Sequence, residues 1–272
     1  MNGRLSREVI QGLHSPLARV VEVHEALAST QDRARELARA GTPDGTLVVA
    51  GVQTGGRGRL GRHWGSPAGG LWMSLVLRPE FEARLASRIT QTAAVGVAKA
   101  LWEIGVEASI KWPNDLLANG KKICGILAVS SARHAGGRAN ESRLDYAILG
   151  VGMNANLDPA DLGVRDREIT TIRSELGHDI PLLDLLRALL SNLAVELSRI
   201  EEFGAVLEEW RNLNCTLGEN VRVRRFGETV EGLAVDLTRE GALLLATPQG
   251  TIDVFEGEIE HLAQGRDAES VP

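Results

Sequence analysis

Between an apolar, β-branched run at residues 46–52 and a second strand-like run at 71–77, the chain carries Gly56-Arg57-Gly58-Arg59-Leu60-Gly61-Arg62-His63-Trp64. Three glycines in nine positions remove any preference for helix or strand, and three arginines cannot enter a core. The segment predicts an exposed loop strung between two buried strands, so the fold has to deliver it to solvent or to a ligand. Glycines let backbone N–H groups approach an anion closely, and the planar fork of Arg matches phosphate or carboxylate. An Arg-Gly run on its own is as often a solvated basic turn. Trp64 on the same loop weighs against that reading, because an indole there needs a flat surface to pack on.

A second segment, Lys111-Trp112-Pro113-Asn114-Asp115, closes a strand-like run over 108–112. Pro113 cannot continue a ladder and restricts Trp112, and strand ends commonly present functional groups. A plain Asn-Asp turn explains the pentapeptide equally well. After a short hairpin, Lys122 abuts the apolar run Ile123-Cys124-Gly125-Ile126-Leu127, which makes it a fixed position. Clustered cations suit a triphosphate and a nearby carboxylate suits its Mg²⁺, so the two segments together predict an enzyme that handles ATP. Ser29 and Thr30 read first as helix caps, a role compatible with binding because a helix N-terminus also receives polar groups. In Gly150-Val151-Gly152-Met153-Asn154 two glycines would let a ligand lie against the backbone.

A chain of 272 residues has room for a large domain and a small one. Its formal net charge of −6 makes the arginine loop a local feature and argues against a general nucleic-acid binder. Cys124 and Cys215 are the two cysteines, without a CxxC or a histidine cluster, which predicts free thiols in a reducing, cytoplasmic setting. No leader and no segment of membrane-spanning length is expected. An arm over 1–19 precedes a strand at 20–23. Ser29, with Asp32 reaching back, opens a helix that Gly41 stops. Leu85, Ile89, Thr92, Ala93, Gly96, Val97, Ala100, Leu101 and Ile104 repeat at helical spacing. Strands are expected over 108–112, 123–129 and 144–151, with a polar surface loop at 132–140. A second long helix follows from Leu182 to Ile200. From Cys215 short alternating runs, broken at Phe226-Gly227, Glu240-Gly241 and Gln249-Gly250, predict a small β-barrel over 215–264 and a frayed tail at 265–272.

The ensemble resembles the biotin protein ligases, in the form without an N-terminal DNA-binding domain. The family's GRGRxGRxW loop stands here as Gly56 to Trp64 and its KWPND as Lys111 to Asp115. Its KxxGIL is Lys122 to Leu127, its GxGxN run Gly150 to Asn154, and its Ser-Thr pair Ser29-Thr30, in order across 25–157. The resemblance implies an α+β fold with a mixed, largely antiparallel sheet and flanking helices, class II synthetase-like, over 20–214, and an SH3-like β-barrel over 215–264. It implies that biotin attacks the α-phosphate of ATP to give biotinyl-5′-AMP, and that a lysine of a biotin carboxyl carrier protein then displaces AMP. Lys122, Arg59 and Asp115 are then the catalytic candidates, with Asp115 either positioning Mg²⁺ or serving as base. Ser29, Thr30, Gln53, Gly56, Arg57, Lys122, Gly125 and Gly152 would bind biotin. Arg57, Arg59, Arg62, Trp64, Lys111, Asn114 and Asn154 would bind ATP and the adenylate, with Trp64 and Asn154 beside the adenosine. The loop 55–66 would close over the adenylate.

Three departures stand out: Gln31 replaces the family's usual Asn, Leu60 a frequent Arg, and Ser130-Ser131 follow the GIL run without the usual Glu. A lipoate ligase or octanoyl transferase shares the fold but lacks the pairing of arginine loop with KWPND. A bifunctional repressor needs a helix-turn-helix module ahead of the first strand, where nineteen residues stand here, so DNA binding is not expected. A storage protein that merely holds the ligand would tolerate loss of turnover. Edge strands of such a sheet often pair, which allows a homodimer.

Overall fold

In a computed structural model the described residues are 5–134, 142–163, 168–225 and 227–262. A short helix α1 (Arg7–Gln11), capped by Ser6, leads into β1 (Val20–Leu27). Helix α2 (Thr30–Arg39) carries the chain across to β2 (Thr46–Gln53), which pairs with β1 in parallel, as a helical crossover permits. Strand β3 (Leu71–Leu77) and helix α3 (Ser87–Glu103) follow, then β4 (Ser109–Lys111), β5 (Asp115–Ala118), β6 (Lys121–His134) and β7 (Ser142–Met153). These strands form one seven-stranded sheet in the order β1-β2-β3-β7-β6-β5-β4, antiparallel apart from the first pair.

The sheet is buried on both faces, and the alternation of side chains shows how. Leu47, Val49, Met73 and Leu75 point into the large core shared with α3 and with α5 (Leu182–Ser198), which follows the short α4 (Ile172–Leu176). Val48, Val76, Tyr146 and Ile148 point the other way, against Ala34 and Ala38 of α2. Helix α6 (Phe203–Leu213) packs against α3, and an ionic cluster ties α3, α5 and α6 together. Glu196, 1% exposed, takes Lys99 at 2.7 Å and Arg199 at 3.2 Å, and Glu209 pairs with both cations as well.

Five antiparallel strands, β8 (Asn220–Arg225), β9 (Glu228–Leu237), β10 (Leu243–Thr247), β11 (Gly250–Val254) and β12 (Glu258–His261), make the second sheet, in the order β11-β10-β9-β8-β12. Its inward residues Val221, Val223, Ala234, Leu243 and Leu245 are buried in the same core cluster as the first sheet. Several hydrogen bonds tie the second sheet to the rest of the fold. Trp112 N–H donates to Thr216 Oγ1 at 3.0 Å, Cys215 N–H to the Ile110 carbonyl at 2.9 Å, and Gln91 Nε2 to the Gly241 carbonyl at 3.1 Å.

The expected strands and long helices are present, with corrections at their ends and in two places between them. The first strand runs to Leu27, the long helix starts at Ser87 and stops before Ile104, and Ile200 lies beyond α5. Ala108 and Trp112 flank β4 without joining it. Asp32 does not reach back to close the cap of α2; Ser29 accepts from its N–H while its carboxylate pairs with Arg35 and Arg57. Asp115 begins a strand, where the sequence suggests only a turn, and α6 fills a stretch for which the sequence predicts no element. The expected surface loop at 132–140, the turn residue Phe226 and the tail at 265–272 fall wholly or largely outside the described residues.

Trp210 of α6 is fully buried, so Trp210→Ala should lower the unfolding free energy by about 3–5 kcal/mol, measured by urea denaturation. A loss below about 1 kcal/mol would mean that α6 is not part of the core.

Candidate active site

A cleft of about 670 Å³ opens between the N-terminus of α2, the loop 54–70, the β4–β5 turn and the β6–β7 strand pair, and the second sheet supplies its outer rim. Its floor is made by missing side chains. Gly125 of β6 lies opposite Gly152 of β7, and Gly150 lies opposite Leu127. The indole of Trp64 rests on this floor: a Cβ at Gly152 would lie 2.5 Å from Trp64 Nε1, and one at Gly125 would lie 3.0 Å from the ring.

Lys122 enters beside the indole. Its ammonium lies 5.0 Å from the centroid of the Trp64 ring and 2.5 Å from Asp115 Oδ1, an ion pair without the alignment of a hydrogen bond. With only 10% of its side chain exposed, the charge is largely withdrawn from water and electrostatically stronger for it. The backbone beneath it is fixed as well: Lys122 N–H donates to the Glu168 carbonyl at 3.0 Å, and Thr170 N–H donates to the Lys122 carbonyl at 2.9 Å. Asn114 is clamped across the β5–β6 pair, its Nδ2 donating to the Ile126 carbonyl at 2.6 Å.

The arginine loop is a hairpin folded over this floor. Trp64 N–H donates to the Gly56 carbonyl at 2.9 Å, Gly58 N–H to Arg62 at 2.8 Å, and the tip turns through Leu60 and Gly61, both at positive φ (55° and 74°). Arg59 points inward, donating to Asn114 Oδ1 and to the Gly257 carbonyl of the second sheet, each at 3.2 Å. Burial pushes its pKa down, with Asp115, Glu256 and Glu258 partly offsetting the loss of water. A guanidinium stays charged regardless, so Arg59 is a desolvated cation held by two neutral oxygens and ready for an anion. Arg62 pairs with Glu258, and Arg57 pairs with Asp32 at 3.0 Å while remaining 60% exposed.

The cleft therefore gathers Ser29, Thr30, Gln53, Arg57, Arg59, Arg62, Trp64, Lys111, Asn114, Asp115, Lys122, Gly125 and Gly152 of the residues singled out from sequence. Two of them lie elsewhere. Gly56 is at the base of the hairpin, where a Cβ would meet the Trp64 carbonyl at 2.4 Å, so its place is in shaping the loop. Asn154 is 1% exposed and sits behind Lys122, its Nδ2 donating to the Thr170 carbonyl at 3.1 Å. That position corrects its expected place beside adenosine. Trp64, expected beside the adenosine, lines the cleft and rests on the Gly125–Gly152 floor. Gln31, Ser74, Gly257 and Glu258 line the cleft without having been anticipated. The replacement of Asn by Gln at position 31 was the one sequence signal pointing to any of them. Cys124 faces the core, where burial pushes its thiol up and out of nucleophilic range.

Comparison with known proteins agrees with this arrangement. Residues 23–154 match the model of the biotin/lipoate A/B protein ligase family, and residues 216–262 match the biotin protein ligase C-terminal domain. The chain is 38% identical over 245 residues to the bifunctional ligase/repressor BirA of Bacillus subtilis, covering 87% of this chain and 72% of that one. It is 32% identical over 231 residues to the biotin–[acetyl-CoA-carboxylase] ligase of Paracoccus denitrificans, covering 82% and 92%. The solved biotin protein ligase of Aquifex aeolicus, in complex with biotin and ATP, superposes with a TM-score of 0.72 at 29% identity, over 89% of this chain and 98% of that one.

If the second sheet holds the arginine loop through Glu258, then Glu258→Ala should make trypsin cut after Arg59 and Arg62 several-fold faster, read by mass spectrometry of early digests. Unchanged cleavage would mean that the hairpin holds its shape alone.

Proposed function

The chain belongs to the biotin/lipoate A/B protein ligase family, and from that premise we propose the chemistry of its cleft. It is an ATP-dependent, AMP-forming biotin protein ligase that activates biotin as biotinyl-5′-AMP and transfers it to a lysine of a biotin carboxyl carrier protein. In the first step a biotin carboxylate oxygen bonds to the α-phosphorus while the bond to the bridging oxygen breaks and pyrophosphate leaves. In the second, the carrier's ε-amine attacks the acyl carbon of the mixed anhydride, AMP departs, and the amine gives up a proton.

The observation that carries the site assignment is the buried Lys122 ammonium, set on the glycine floor of the cleft that Arg59 also lines. Two anions must meet in the first step, and fixed cations in a water-poor cleft lower that barrier without having to reorganise. We assign Lys122 the space between carboxylate and α-phosphate, Arg59 the phosphate beyond it, and Arg57, Arg62 and Lys111 the outer phosphates. The carboxylate of Asp115 orients the Lys122 ammonium and takes the proton of the incoming amine. Ser29, Thr30 and Gln53 hold the ring of biotin, with Gly125 and Gly152 beneath it and Trp64 closing over it.

Mg²⁺ belongs to this proposal only as the companion of ATP. Asp115 is already engaged by Lys122, and among the described residues no three His, Cys, Asp or Glu side chains gather into a metal-sized group. The residues therefore do not fit a protein cage for the ion, and no step here runs through it. We place the catalytic unit at 20–214 and the barrel at 215–264, a division supported by the separate matches over 23–154 and 216–262. Among the described residues no helix is long and apolar enough to cross a membrane, and two free cysteines suit the cytoplasm. A homodimer would form most readily through the outer edge of β1, where the sheet ends.

Biotin-dependent exchange of pyrophosphate into ATP, with lipoate and octanoate as parallel acids, tests the reading. Exchange with biotin alone is expected, and exchange with lipoate or octanoate instead would move the protein to the sister activity. Lys122→Gln should lower the exchange rate by roughly 10²–10³ in a variant that remains folded. A loss under about fivefold would remove Lys122 from the reacting centre.

A further inference from the structure

At the α2 end of the cleft four oxygen atoms stand in a row: Gln53 Oε1, Thr30 Oγ1, Ser74 Oγ and Gln31 Oε1. Their separations are 3.0, 2.9 and 3.1 Å in turn. All four residues line the cleft, and Thr30, Ser74 and Gln31 are buried. The two carboxamides at the ends cannot turn over, because backbone groups fix them. Gln53 Oε1 accepts from Thr30 N–H at 2.8 Å, which only an oxygen can do. Gln31 Nε2 donates to the Leu127 carbonyl at 3.3 Å and the Ile148 carbonyl at 3.1 Å, which only a nitrogen can do. Gly150 makes room for this side chain, since a Cβ there would lie 2.4 Å from Gln31 Oε1.

The proton count then falls short. Both end atoms only accept, and the two hydroxyls in the middle carry one proton each, so two protons serve three oxygen–oxygen gaps. Whichever gap lacks its proton, two oxygens there face each other with lone pairs only, and when Thr30 donates to Gln53 and Ser74 to Gln31 it is the gap between the two hydroxyls. Buried acceptors without a donor are costly, and the group that relieves them is a donor from the ligand. An acceptor edge, such as an ether oxygen or a sulfur, would instead add a fifth electron-rich atom to the row.

We propose that Gln31 is a positioning residue that draws the Ser74 proton away from the cleft and so reserves the Thr30 and Ser74 oxygens for a substrate ring N–H. This rests on the ligase reading and deepens it, because the edge recognised is the N–H edge of a cyclic urea. Without Gln31, Ser74 is free to donate to Thr30 or to a ligand acceptor, and the preference for an N–H is relaxed.

Calorimetric binding to the full chain without ATP tests this, using biotin and its two isosteric cyclic carbamates, each with one ureido N–H replaced by a ring oxygen. The wild-type protein is expected to bind one carbamate at least about a hundredfold more weakly than biotin, since sites built for an N–H reject its absence strongly. Gln31→Met should weaken biotin about tenfold and narrow the biotin-to-carbamate ratio about tenfold. Ser74→Ala, a smaller change that decides the matter if Gln31→Met does not fold, should narrow the same ratio. A ratio unchanged in the folded variants, even with biotin and carbamate both weakened, would make the role of Gln31 merely structural and overturn the proposal. Wild-type protein that neither binds biotin nor exchanges pyrophosphate with it would instead overturn the ligase reading itself.

Discussion

The absence of side chains along the middle of the large sheet is the constraint that the rest of the site obeys. Gly125 and Gly152 face each other across β6 and β7, and Gly150 follows two residues away on the same face. A sheet buried on both faces has few places where a flat group can reach backbone, and here three missing side chains create one. The indole of Trp64, the ammonium of Lys122 and the carboxamide of Gln31 all come to rest in that hollow. Filling it at any one position would move the neighbour that lies there, so the loop, the Lys122 ammonium and the polar row share a single boundary.

The cations around the hollow are held in different ways, and the difference matches the parts assigned to them. Lys122 is buried against Asp115, and Arg59 is half-buried against neutral oxygens, whereas Arg57 and Arg62 are more exposed and paired with carboxylates at the rim. Rim pairs in water exchange partners at little cost, since such pairs contribute about 0–1 kcal/mol. The inner two cannot relax in that way. Charge is therefore held more firmly at the inner end, where we propose that bonds are made, and is adaptable at the rim, where we propose that the polyphosphate enters.

Much of this was legible in the chain itself. The arginine loop, the Lys111–Asp115 segment and the glycine run declare themselves by residue type, and the apolar spacing of residues 85–104 and 182–200 places the two long helices. What escaped has physical reasons. Helix α6 was readable from Phe203, Val206, Leu207 and Trp210, all buried at helical spacing, but it is short and follows closely on another helix. Asp115 begins a strand because Asn114 and Ile126 clamp it to β6, a tertiary contact invisible to local propensity. Asn154 looks like a binding residue in sequence and serves as an internal tie, a distinction made only by what packs over it. Ser74 sits in an otherwise wholly apolar strand, and its partners are 43 and 44 residues away.

The inward arginine draws one of its two acceptors from a carbonyl 198 residues further along the chain. A polypeptide is made from its N-terminus, so Arg59 emerges long before Gly257, and most of the large sheet is available to fold in the interval. The cleft thus has its floor early and its last wall late. Until β12 has been threaded beside β8, the cation that should be fixed is loose. Docking of β12 beside β8 brings the Gly257 carbonyl to Arg59, so the clamp on this cation is completed by the second sheet and not by the large one.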